Sequence, residues 1–285
     1  MNTVMLKIYR KPMIKIHSIA SLGLLMLGIS GAYAQSYIAA EDEAFYDAYN
    51  DGWSTGTWSG RGFGAWQLFA PEYATEGEEQ YAGFFIADAA GESDLKQSAR
   101  EGKAFGIFAN GTGFEETVAF RSFERPLGQG DVFSLRFEFE GFSDRFESDT
   151  TAIASVGIAL RQDADASSLA DLAEGRVMVL AALQGLSTYQ ILDGEPRFNT
   201  RVFLDQEGVE VGITIRKDNH YDLQLTTLSD QVVHYFPNRS FNVKPAEGTQ
   251  EAQFVSIQSF ALFNLNGGDS NAYFGALQVS AQELP

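Results

Sequence analysis

From Val132 to Glu140 the chain alternates strictly, with Phe133, Leu135, Phe137 and Phe139 on one side and Ser134, Arg136, Glu138 and Glu140 on the other. A period of two is that of a strand with one buried face. The same alternation runs through Ala154 to Leu160, Val177 to Leu183, Val209 to Ile215 and Tyr221 to Leu225, so each of these predicts a strand. Turn signals separate them at Asp193-Gly194, Asp205 to Gly208, Lys217 to His220 and Asn266 to Asp269. Those around Asp205 to Gly208 and Asp218 to His220 are expected to close hairpins. A single stretch reads as helix, Ser168 to Gly175, where Ser168 caps the start, Asp171 follows three residues on and Gly175 ends it. Many short antiparallel strands without a long helix predict an all-β fold, two packed sheets in a sandwich of jelly-roll type with one short helix.

The first 34 residues carry a different pattern. Lys7, Arg10, Lys11 and Lys15 form a basic lead, Ile19 to Gly31 is an apolar run, and Ala32-Tyr33-Ala34 is a small-x-small cleavage site. The run is shorter than the ~20 residues a membrane-spanning helix needs. It therefore reads as a secretory signal peptide over residues 1–34, followed by one β-sandwich domain over 35–285, secreted or held in the periplasm or at the cell surface.

Charge sharpens that picture. The whole chain carries −18, and the leader holds four basic residues and no acid, so the remainder carries −22. Such a surface repels nucleic acid and anionic lipid and favours solubility and divalent cations. The chain has no cysteine, which removes disulfides, thiolate metal sites and cysteine nucleophiles together.

All three tryptophans, Trp53, Trp58 and Trp66, fall in one segment with glycines at 52, 56, 60, 62 and 64. Glycines there permit positive φ and close approach, so the indoles are expected on tight turns or bulged strands. A sugar ring binds by laying its C–H face on an aromatic plane while polar neighbours take its hydroxyls. Trp53, Trp58, Trp66 and Tyr73 are the candidate ligand-binding residues, set against the plainer reading that the rings plug one end of the sandwich. Together, Tyr49 to Trp53, Gly60 to Trp66, Gly83 to Ile86, Gly102 to Ala109 and Arg121 to Phe123 resemble a secreted bacterial β-sandwich domain of the concanavalin A-like, jelly-roll type. The last strand, Ala272 to Val279, is similar to that of many such modules and of carbohydrate-binding modules. This resemblance implies the fold; its motifs are structural glycines and aromatics, with no catalytic signature among them.

Glu138 and Glu140 lie two apart on one strand, ~6.7 Å along the backbone, inside the ~6.5 to 9.5 Å carboxylate spacing of inverting glycosidases. A solvated strand face produces that spacing equally well. After the leader only His220 and His234 remain, with no nucleophile elbow beside either. Hard oxygen donors make calcium the metal that fits the composition. Acids and amides gather before the first tryptophan, including Asp42 and Asp47, and before the last strand, including Asp269. In sandwiches of this kind the first and last strands commonly pair, which would join the two clusters around a structural calcium with Asp42, Asp47 and Asp269 as ligands. Asp163-Ala-Asp165 starts like an EF-hand loop but lacks its glycine and terminal Glu.

These features lead to a secreted, non-catalytic, glycan-binding sandwich, with calcium as a stabilising ion and a polysaccharide or other glycan as partner. The alternatives are a structural or adhesive extracellular module, and a glycosidase or lyase of concanavalin A-like fold.

Overall fold

The computed structural model describes residues 36–70, 82–92, 94–110, 115–142, 154–204, 207–243 and 256–282. The leader lies outside the described residues, as does Tyr73. Fifteen strands form among them: β1 (Ser36–Asp42), β2 (Phe63–Phe69), β3 (Ala82–Asp88), β4 (Lys103–Ala109), β5 (Glu116–Leu127), β6 (Val132–Phe139), β7 (Ser155–Arg161), β8 (Arg176–Leu183), β9 (Thr188–Leu192), β10 (Phe198–Phe203), β11 (Val209–Ile215), β12 (His220–Thr227), β13 (Val233–Ser240), β14 (Ile257–Leu265) and β15 (Ala272–Gln282). They make two antiparallel sheets. The eight-stranded sheet runs β13-β12-β11-β6-β15-β4-β3 with β1 also on β15, and the seven-stranded sheet runs β10-β9-β8-β7-β14-β5-β2. This is the two-sheet, jelly-roll sandwich that the alternation predicts. No helix among the described residues is long and apolar enough to cross a membrane.

Alternation places Phe133, Leu135, Phe137 and Phe139 of β6 in the core between the sheets, with Val211, Ile213, Leu223 and Leu225 from β11 and β12. The seven-stranded sheet is apolar on both faces. Leu180 and Leu262 face the main core, while Val179, Ala261 and Phe263 join a second cluster covered by Ala166 and Leu172. That cover is the expected helical stretch, which forms as a 3-10 turn over Leu169–Leu172 with Ser168 and Asp171 in a capping box. A second 3-10 turn, Asp47–Tyr49, has no counterpart among the expected elements.

Of the two expected hairpins, one forms. Asp218 and Asn219 take positive φ between β11 and β12, which pair throughout. At Asp205 to Gly208 the strands on either side belong to different sheets, because β10 pairs β9 while β11 pairs β6 and β12. That connection is a crossover from the seven-stranded sheet to the eight-stranded one.

The first and last strands do pair, Ser36 opposite Gln282 and Asp42 opposite Leu277. Along β15 the neighbour changes: Ala272 to Phe274 pair β4, while Leu277 to Gln282 pair β1. Between the two stretches the register on β6 also slips, and Ala276 has φ 52°. The sheet forks at this point.

Candidate functional site

The tryptophan segment serves the fold first. Trp66 is fully buried and Trp53 is 5% exposed. Trp53 packs edge-on against Trp66 at 4.9 Å and Phe84 at 5.2 Å, and against Phe105 at 4.9 Å. Neither ring offers a face to solvent, so both depart from their expected role as stacking platforms: each fills core volume between the sheets. Trp58 differs. It is 58% exposed, and its Nε1 donates to the Phe63 carbonyl at 2.7 Å, which fixes the ring in place.

Beneath these rings lies a buried ion pair. Asp42 of β1 and Arg121 of β5 both have fully buried side chains, and Arg121 Nη1 donates to Asp42 Oδ2. The same oxygen accepts the Tyr49 hydroxyl, which in turn accepts Trp66 Nε1 at 3.0 Å. Arg121 also donates to the carbonyls of Gly64 at 2.8 Å and Ser59 at 3.0 Å, and its guanidinium stacks 4.7 Å from the Trp66 ring. Burial raises the Tyr49 phenol above its ordinary range, and the Arg121 charge only partly offsets this. The glycines make the knot fit. At Gly60 and Gly62, φ is 71° and 72°, and an added Cβ would meet Glu41 O at 1.9 Å and Ala39 O at 2.4 Å.

Asp42 is therefore consumed by Arg121, Tyr49 and the Glu43 amide at 2.9 Å, which corrects its expected role as a metal ligand. Asp47 is exposed in its 3-10 turn, 3.4 Å from Asn50 Nδ2. Asp269 is exposed before β15, eight residues ahead of the Leu277 that faces Asp42. The register of β1 on β15 thus does not join the two clusters. No group of three or more acids or histidines among the described residues could hold a metal ion, so Asp42, Asp47 and Asp269 do not make the expected calcium site. In the Asp163 loop the backbone carbonyls face a guanidinium. Buried Arg161 donates to the carbonyls of Asp163 at 3.5 Å, Asp165 at 3.4 Å and Asp171 at 3.1 Å.

Glu138 is fully buried, and its carboxylate accepts three amides, Lys96 at 2.7 Å, Gln97 at 3.0 Å and Ser98 at 2.9 Å. It anchors a segment that lays Leu95 and Ala99 over Ala87, Ala104 and Tyr273 on the outer face of β3, β4 and β15. Burial raises its carboxyl above the usual range, and the three amides offset only part of this. Glu140 is exposed just beyond β6. A carboxylate saturated by amides and its exposed neighbour do not form an acid/base pair across a substrate.

Among the described residues the rest of that outer face is uncovered and mostly polar, with Val233 exposed on β13. Strand register aligns Glu41, Gln278, Ser134, Gly212, Gln224 and Tyr235 in one row across β1, β15, β6, β11, β12 and β13. Five strand spacings of ~4.8 Å make the row about 24 Å long. At its centre Gly212 leaves the floor clear, since an added Cβ would meet only Gln224 Cβ at 3.9 Å. At the far end Tyr235 is 55% exposed, and its hydroxyl is held by Asp222 Oδ2 at 2.5 Å. Asp222 is itself gripped by Arg216 at 2.5 and 2.8 Å and by the Asn238 amide at 2.8 Å. Burial alone would raise the Asp222 carboxyl, but the bonds from Arg216 and Tyr235 outweigh it and hold it below its ordinary value.

The near end of the row opens into a cavity of about 350 Å³ at the fork, lined by Glu41, Glu43, Tyr46, Arg100, Arg136 and Glu210 among others. The fork explains Glu43. Ala276, between the β4-paired and β1-paired stretches, gives its amide to Glu43 Oε2 at 3.1 Å, and Arg100 approaches Oε1 at 3.3 Å. Burial raises the Glu43 carboxyl, with Arg100 and the Ala276 amide as partial offsets.

No protein-family model matches the chain, and no curated protein does either. Solved structures with a similar course include a legume lectin-like domain from Entamoeba histolytica, at 10% identity and TM-score 0.37, covering 77% of this chain and 90% of that one. The VIP36 exoplasmic/lumenal domain in a Ca2+-bound form scores 0.40 at 5% identity, over 72% and 84%. A family 11 carbohydrate-binding module from Clostridium thermocellum, in complex with a β-1,3-1,4-mixed-linked tetrasaccharide, scores 0.31 at 9% identity, over 75% and 87%. At these scores the likeness is one of general sheet architecture and carries nothing about a ligand.

Proposed function

We propose that the chain is an exported, non-catalytic glycan-binding module, cleaved near Ala34, whose binding surface is the open outer face of the eight-stranded sheet. The observation that carries this reading is the register-aligned polar row from Glu41 to Tyr235, floored at Gly212 and ended by an aromatic ring whose hydroxyl is pinned by Asp222. Hydroxyl-rich chains are bound by side chains that both donate and accept, next to an aromatic plane. Gln278, Ser134 and Gln224 are of that kind. A platform already fixed in the free protein loses little side-chain entropy on binding. Trp58 is a second such platform, on the neighbouring loop whose Arg61 bridges to Glu41. Calcium has no part in the proposal.

The test is retardation of the purified protein in gels containing a panel of polysaccharides. Gly212→Val raises a wall in the row where space is free, so at least one glycan that retards the parent is expected to lose about tenfold in affinity, ~1.4 kcal/mol, without a loss of thermal midpoint. Tyr235→Ala is expected to act alike. Equal retardation of parent and Gly212→Val would reject the surface, and no retardation by any glycan would reject the function. A structural or adhesive module is the second reading, favoured by the burial of Trp53 and Trp66. Self-association without glycan capture would establish it.

A further inference from the structure

The cavity at the fork has a composition that the row does not. Its charges come in compensated pairs: Arg100 with Glu43 at 3.3 Å, Arg136 with Glu210 at 3.8 Å, and Glu41 with Arg61 at 3.3 Å. Around it the chain carries −18. An anionic ligand would meet that field without an unpaired cation to receive it, and a cationic ligand would have to displace an arginine.

Each guanidinium, however, carries five N–H groups and each carboxylate about four lone-pair positions, so pairing leaves many of both unspent. A neutral hydroxyl group, donor and acceptor at once, can bridge such a pair without disturbing its charge balance. Phe45 and Tyr46, packed edge-on at 5.0 Å, add apolar surface to the lining. The volume of about 350 Å³ lies near the lower end of the ~300 to 1,000 Å³ of small-molecule sites. That is room for a short saccharide unit, and it opens onto the row through Glu41, Gln278 and Ser134.

We propose that the cavity walled by Glu43, Arg100, Arg136, Glu210 and Tyr46 is a subsite for an uncharged sugar unit, selecting neutral over acidic glycans. It rests on the glycan-binding reading and adds the ligand class and the residues that set it. Glu43 orients the unit by accepting hydroxyl protons from a position fixed by Ala276 and Arg100, and Arg136 donates from β6.

The test titrates the purified protein with tetrasaccharides of glucose, mannose and xylose, and with a tetragalacturonate, at low and high salt. Ser134→Leu fills the cavity mouth from β6, Glu43→Gln keeps the acceptor for Ala276 but halves its capacity, and Gly212→Val serves as the row control. At least one neutral tetrasaccharide is expected to bind, with a Kd that changes less than about twofold with salt, and to weaken about tenfold or more in Ser134→Leu and in Glu43→Gln. Ser134 belongs to the row as well as to the cavity mouth, so Glu43→Gln decides between the two. Neutral binding lost in Gly212→Val but unchanged in Glu43→Gln would overturn the subsite and leave the glycan reading standing. Tighter binding of the tetragalacturonate would overturn the selectivity. Binding of none of the four probes would remove both.

Discussion

Replacing Asp42 by Asn tests the keystone of the tryptophan segment. The side chain keeps its shape, but a carboxylate that accepts from Arg121, Tyr49 and the Glu43 amide becomes an amide. One face of that amide still accepts the Glu43 N–H. The other now points an NH2 at the guanidinium, and the Tyr49 proton loses its acceptor while Trp66 still donates to the same hydroxyl. Arg121 and Asp42 are both without solvent exposure, so the charge left on Arg121 cannot be hydrated. Breaking such a pair from one side costs ~3 to 5 kcal/mol, a large part of the ~5 to 15 kcal/mol that holds a domain folded. For a domain of this size that lowers Tm by roughly 6 to 20 °C. The control is Glu41→Gln, one residue away, whose partner Arg61 lies 3.3 Å off with the two side chains 35% and 57% exposed. That change should fall within ~1 kcal/mol. Urea denaturation followed by tryptophan fluorescence measures both, with equal slopes expected. Chelator should leave the Asp42→Asn loss unchanged, because the loss comes from a guanidinium and not from an ion. A loss below ~1 kcal/mol for Asp42→Asn, or one that appears only with calcium present, would refute the reasoning.

Three more outcomes are expected. Gly62→Ala forces a left-handed residue with its Cβ 2.4 Å from the Ala39 carbonyl, and should cost at least ~2 kcal/mol in the same denaturation assay. Trp66→Ala empties fully buried volume and should cost ~3 to 5 kcal/mol, whereas Trp58→Ala should stay within ~0.5 kcal/mol; the reverse order would misplace the core. Glu138 has a carboxyl raised above its ordinary 4.5 by burial, so the folded state binds its proton before the unfolded state does. Its contribution is present below that ordinary value and is lost as pH rises through the raised one. The stability of the parent relative to Glu138→Gln should therefore grow as pH is lowered from neutral towards 4.5, measured by denaturation at each pH; a flat difference would contradict the raised value.

The sandwich is readable because its clearest strands announce themselves locally. The alternation of β6 and of β11 needs only its own residues, and the capping box of Ser168 with Asp171 spans four positions. The turn signal from Asp205 to Gly208 misleads for a corresponding reason. It states that the chain reverses, but which sheet receives the next strand depends on β10 finding β9 and on β11 finding β6. The tryptophans mislead because their crowding marks either a ligand or a core. The deciding fact, a buried Arg121 stacked on Trp66 and paired with Asp42, joins residues 79 positions apart.

The candidate surface is least legible, and its dispersion explains why. Glu41, Ser134, Gly212, Gln224, Tyr235 and Gln278 are each the ordinary polar or small residue that an alternating strand turns outward. They become a row only through five successive registers. A one-residue slip in any of those pairings would send the downstream members of the row to the core face. The inward residues Leu135, Val211 and Leu223 oppose that slip, because it would carry them into water. The hydrophobic pattern that specifies the fold thus also fixes the polar face opposite it. Gly212 is then the one member without a side chain, although among the described residues the space above it would admit one without strain. A strand pays in conformational entropy for a glycine there, and a clear floor for an occupant of the row is the return that this geometry offers.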